Sequence, residues 1–84
     1  MSADVLAQRK RIADLIDRFA NGETYGWEWD DFVGGPQQDS LLADIRRKSL
    51  QIQSENPGGG TAWCNANGLQ ELKKLAKEIR NTMP

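Results

Sequence analysis

Cys64 is the only thiol in the chain, and the sequence contains no histidine. Acid–base chemistry near neutral pH therefore lacks its usual carrier. Nucleophilic catalysis would fall to Cys64, a hydroxyl or a lysine, with no imidazole to activate it. Cys64 follows Trp63 at the start of a predicted helix, where the positive end of the helix dipole can lower a thiol's pKa. The same position suits a small, half-buried apolar residue beside a ring, and that is the preferred reading. Glu28, Asp30 and Asp31 come next, as an acid pair or a hard-cation site. Glu-Trp-Asp-Asp matches no EF-hand-like series of oxygen ligands, so no metal is expected. Gly58-Gly59-Gly60 before Thr61 has the softness of a phosphate loop but lacks the Gly-Lys-Ser/Thr signature and a preceding strand; it reads as a connector. One cysteine also excludes an internal disulfide framework. The chain is therefore not expected to be an enzyme, and no catalytic residue, metal or cofactor is assigned.

Charge placement says more. Eleven basic residues stand against 12 acidic ones, a net charge of −1, yet no Lys or Arg lies between Phe19 and Ile45. Six acids fall in that window: Glu23, Glu28, Asp30, Asp31, Asp39 and Asp44. Phe19, Tyr25, Trp27, Trp29 and Phe32 accompany them. Carboxylates interleaved with rings suit docking on a basic protein surface, where charge steers the encounter and a buried aromatic holds the complex. Glu23, Tyr25, Trp27, Glu28, Asp30, Asp31 and Asp39 are the candidate partner-binding residues. The competing explanation is that the rings plug the core while the carboxylates solubilise the loop. A second candidate surface is the cationic stripe Lys73, Lys74, Lys77 and Arg80, which could grip nucleic-acid phosphates. The near-neutral charge and a pI near 5.3 make that the alternative.

Helical periodicity positions these residues. Over residues 3–21, Val5, Ile12, Leu15, Ile16 and Phe19 fall within an arc of about 100°, with Ser2 to cap the start and Asn21-Gly22 suited to a left-handed stop. A second helix is predicted over 40–55. It is capped by Asp39 or Ser40, stopped by Pro57 and the glycines, and carries Leu41, Leu42, Ile45, Ser49 and Ile52 on one face. Leu50 points nearly the other way, so either it is exposed or this helix is buried on two sides. A third helix starts between residues 65 and 68, with Asn65 or Asn67 as cap. It reaches about residue 82 with Leu69, Leu72, Leu75, Ala76 and Ile79 in one stripe. Residues 23–38 hold too many rings for a solvated linker and should fold back as a packed loop, with room for one short helical turn over 27–32. No alternating strand pattern is present. The expectation is an all-α, three-helix domain over residues 1–84, with an aromatic and acidic loop between helices one and two. Its core should combine Leu15, Phe19, Ile45, Ile52, Leu72, Leu75 and Ile79 with at least one of Trp27, Trp29 and Trp63.

The succession Phe-x-x-Gly (from Phe19), Trp-Asp-Asp-Phe (Trp29 to Phe32), Asp-x-x-Leu-x-x-Ile-Arg (Asp39 to Arg46), Glu-x-Pro (Glu55 to Pro57) and Asn-x-x-Gly (Asn65 to Gly68) before a Leu-rich helix resembles a group of small, mostly uncharacterised bacterial proteins. Some of these are similar to immunity-type proteins of toxin–immunity systems. The resemblance covers most of the chain, rests on short structural motifs and implies no catalytic residue. It points away from enzymes. The acidic and aromatic window between Phe19 and Ile45 is what carries the leading expectation, a small non-enzymatic protein-binding module, an inhibitor or immunity-type protein that occupies a basic site on a protein partner. No apolar run approaches the roughly 20 residues of a membrane span. Met1-Ser2-Ala3-Asp4 lacks the regions of a signal peptide. A cytoplasmic protein without a membrane partner is expected, and a homodimer is left open.

Overall fold

Each long helix begins where a short polar side chain replaces a missing backbone acceptor. Ser2 Oγ accepts from the Val5 amide at 3.2 Å, opening α1 (Ala3–Ala20). Asp39 Oδ1 accepts from the Leu41 amide at 3.1 Å and opens α3 (Ser40–Glu55). Asn65 Oδ1 accepts from the Gly68 amide at 2.9 Å and opens α4 (Ala66–Arg80). Such caps contribute about 1 kcal/mol each. α1 stops in a Schellman turn: the Gly22 amide donates to Phe19 O and the Glu23 amide to Arg18 O, with Gly22 at φ +75°. That is a conformation that side chains with a Cβ disfavour.

The computed structural model describes residues 2–23, 27–60 and 62–83. The chain is all-α, and among the described residues it has four helices and no strand. The expected count of three is corrected by α2 (Glu28–Gly34), a seven-residue helix where the sequence leaves room for one helical turn over 27–32 within a packed loop. α2 has seven residues and no side-chain cap at Trp27, far too short to persist alone. Its stability comes from packing. Trp29, Phe32 and Val33, spaced i, i+3 and i+4, are buried together. Trp29 stacks on Phe19 at 4.1 Å between ring centroids and meets Trp63 edge-on at 5.2 Å. Phe32 completes the cluster at 5.7 Å from Trp29. Ring pairs contribute roughly 0.5–1.5 kcal/mol each beyond their buried area, so Trp29's three contacts outweigh the missing cap. From α3, Arg46 Nε donates to Val33 O at 2.8 Å and satisfies a carbonyl at the α2 C-terminus.

α4 packs along both α1 and α3, and α2 also packs on α1 and α3. Arg80 reaches Asp14 and Arg9 reaches Thr82, while Trp63, ahead of α4, touches Phe19 near the end of α1. α1 and α4 therefore run antiparallel. The core comprises Ile12, Leu15, Ile16, Leu42, Ile45, Leu72 and Ile79, all at most 1% exposed, together with Leu75. Phe19 and Ile52 pack on it half-buried rather than inside it. Ser49 sits on the same core face of α3 without a polar orphan, because its Oγ donates to Ile45 O at 2.8 Å. Leu50 is half-buried against the core. This follows from α3 packing on α2 and α4 at once.

Candidate functional site

The period of α2 sorts its residues into two faces. Trp29, Phe32 and Val33 face inward, and the same 3.6-residue spacing puts Trp27, Asp30 and Asp31 together on the outer side. Trp27 is 77% exposed, the one large hydrophobic side chain exposed among the described residues. Asp30 and Asp31 are exposed, and among the described residues no cation stands within ion-pair distance of either. Glu28, on the flank, accepts from Arg18 Nη2 of α1 at 3.0 Å. Glu23 is exposed just past the Schellman turn. The outer face of α2 thus presents a ring between two carboxylates, with a third carboxylate held partly neutralised at its edge.

The remaining candidates are distributed differently. Tyr25 lies outside the described residues. Asp39 lies outside α2 and is already paired: Arg9 Nε donates to its Oδ2 at 2.6 Å and Arg9 Nη2 to its Oδ1 at 2.9 Å. Both side chains of that pair are nearly covered, 11% and 12% exposed. Arg9's hydrogen bond holds the Asp39 carboxyl below the usual carboxylate range, with the Leu41 amide adding to the effect against the opposing pull of burial. Asp44 pairs with Arg47 and Lys48 on its own helix. The run without cations in sequence is therefore partly supplied with them in space. Arg9, Arg18, Arg47 and Lys48 neutralise Asp39, Glu28 and Asp44, leaving Glu23, Asp30 and Asp31. Arg9 and Arg18 belong to the site's electrostatics but carry no local sequence signal, since each partner lies at least ten positions away.

The cationic stripe of α4 is divided in the same way. Lys74 pairs with Glu71 on the same helix, and Arg80 bridges Asp14 and Asp17 of α1. Lys73 and Lys77, one turn apart, have no carboxylate partner among the described residues. Cys64 is 5% exposed, and burial pushes its thiol pKa up, away from the thiolate that a nucleophile requires. Among the described residues no three metal-ligating side chains converge, and no helix is long and apolar enough to cross a membrane. A cleft of about 390 Å³ opens where α1 meets the start of α3, lined by Val5, Gln8, Pro36, Gln37 and Leu42. The Asp39 carboxylate on its wall is already engaged by Arg9.

No family model, no curated protein and no solved structure matches the chain. The geometry of α2 and its surroundings therefore supplies the functional reading.

Proposed function

We propose that this protein is a small, non-enzymatic protein-binding module that docks the outer face of α2 on a basic surface of a protein partner, with an inhibitor or immunity-type role. The observation that carries this reading is Trp27. A fold of 84 residues that buries Trp29 and Phe32 leaves one indole 77% exposed beside Asp30 and Asp31. Exposed rings of this kind are the usual anchors of protein interfaces, and flanking charges select the partner and speed its arrival. The face is small, so the complex should depend on few residues and be sensitive to salt.

The test is a complex captured from the source organism and reconstituted from purified components. Binding should be one-to-one and should weaken steeply between ~50 mM and ~500 mM salt. Replacing Glu28, Asp30 and Asp31 together by Lys should weaken it further while the circular dichroism stays helical. Unchanged affinity in the triple variant and in Trp27→Ala would refute the docking mode. The alternative is nucleic-acid binding through Lys73 and Lys77, favoured only by their lack of carboxylate partners among the described residues. Nucleic-acid binding at ~50 mM salt that is lost in Lys73→Gln/Lys77→Gln would establish it instead.

A further inference from the structure

We infer that the partner group seated on α2 is an arginine side chain, its guanidinium stacked on Trp27 and hydrogen-bonded to Asp30 and Asp31. This rests on the docking reading above and names the chemistry of the contact. The exposed ring alone would accept any apolar group. On this face, however, Asp30 and Asp31 stand one turn from Trp27, on either side of it, so covering the indole also strips water from two carboxylates. An apolar partner would leave both charges desolvated without compensation, and an acidic one would be repelled. A cation supplies the missing charge, and tryptophan is the best aromatic platform for one.

The choice between the two natural cations follows from their shapes. An ammonium is a compact, strongly hydrated point charge. A guanidinium is planar and weakly hydrated, and it can lie flat on a ring while its edge N–H groups reach carboxylates on both sides. The fold already uses this property. Arg9 grips Asp39 through two nitrogens and Arg80 joins Asp14 and Asp17 across one turn of α1 through two more; Lys48 also meets two carboxylates, Asp44 and Glu78, but from a single nitrogen. Asp30 and Asp31, like Asp14 and Asp17 of α1, are two carboxylates on one helix, but no guanidinium from the described residues reaches them, since Arg18 meets Glu28 on the flank.

The test uses the full chain and two probes of equal length and charge, hexa-arginine and hexa-lysine, titrated by calorimetry at low salt. Hexa-arginine should bind between about twofold and about thirtyfold tighter than hexa-lysine, the range spanned by exposed and desolvated cation–π contacts. Trp27→Ala is fully compatible with the fold because the side chain is exposed, and it should reduce the arginine affinity to the lysine level. Asp30→Asn/Asp31→Asn should weaken both probes. Equal affinity for the two peptides, or an arginine preference that survives Trp27→Ala, would overturn the inference while leaving docking on a basic surface intact. Failure of the wild-type chain to bind either peptide would overturn the docking reading with it.

Discussion

Arg9 of α1 holds Asp39, the cap of α3, through both carboxylate oxygens at 2.6 and 2.9 Å, and its remaining nitrogen donates to Thr82 Oγ1 just after α4 at 3.3 Å. One guanidinium thus joins three helices at one end of the fold. Asp39 simultaneously satisfies the Leu41 amide, so its charge and its oxygen do separate work.

That separation gives a pH dependence. The Asp39 carboxyl is held down mainly by the Arg9 hydrogen bond, Asp14 by hydrogen bonds from Lys10 and Arg80, and Asp44 by those from Arg47 and Lys48. Each has a folded pKa below its unfolded value of about 3.9, so its contribution is complete above that value and is lost as the pH falls through it towards the folded one. Asp14 and Asp44 are 44% and 35% exposed, where solvent screens ion pairs, so Asp39 should dominate. Without a histidine to titrate, thermal midpoints should stay level from about pH 7 to pH 5 and drop below about pH 4. Asp39→Asn keeps the capping oxygen and should flatten that acid limb. Asp39→Ala loses the cap as well and should cost a further ~1 kcal/mol in denaturant titrations.

A second expectation concerns Trp29, whose indole N–H is buried and finds no acceptor among the described residues. Trp29→Ala removes three ring contacts and should cost about 3–5 kcal/mol, a large share of the roughly 5–15 kcal/mol typical of a domain. Trp29→Phe keeps much of the stacking on Phe19 and removes the orphan donor, which offsets part of the lost area. Chemical denaturation should place it within about 1.5 kcal/mol of the parent chain. Equal losses for the two variants would mean that the indole nitrogen has a partner after all.

How far these sites can be read from sequence depends on range. The three long helices are visible because polar cap candidates stand beside apolar residues at helical spacing, although Asp39 against Ser40 and Asn65 against Asn67 are decided only by the structure. Trp29, Phe32 and Val33 carry the same spacing, but seven residues give under two turns, and α2 becomes a helix only through contacts with Phe19 and Trp63 supplied from elsewhere. The acidic window is visible as composition. Its division into neutralised and open carboxylates is not, because Arg9 and Asp39 lie 30 positions apart and Arg18 and Glu28 lie 10 apart. Leu50 likewise stays ambiguous until both neighbours of α3 are in place.

Arg18 offers a third test, because it competes with any incoming cation for Glu28. Arg18→Gln should tighten hexa-arginine binding at low salt. Lys74→Gln removes the same charge from α4, and calorimetry should find a smaller gain for it. Equal gains would reduce the Arg18 effect to net charge.

Cys64 supplies the fourth. Its buried thiol lies where a Cβ at position 68 would come within 2.9 Å of Sγ and 3.0 Å of Asn56 Cβ, so only glycine fits there. Labelling by a thiol reagent at neutral pH should be slow in the native chain and fast after denaturation. Gly68→Ala should accelerate it by loosening the start of α4. Rapid labelling of the unmodified chain would contradict the packing around Cys64.

The three tryptophans divide into one wet indole at 27, a dry one at 29 and a partly shielded one at 63. Long-wavelength emission and accessibility to a soluble quencher should accordingly belong to residue 27, while the blue component reports on the ring cluster. A molecule landing on α2 would dim one colour and spare the other, so the chain carries its own optical gauge of that encounter without any attached dye.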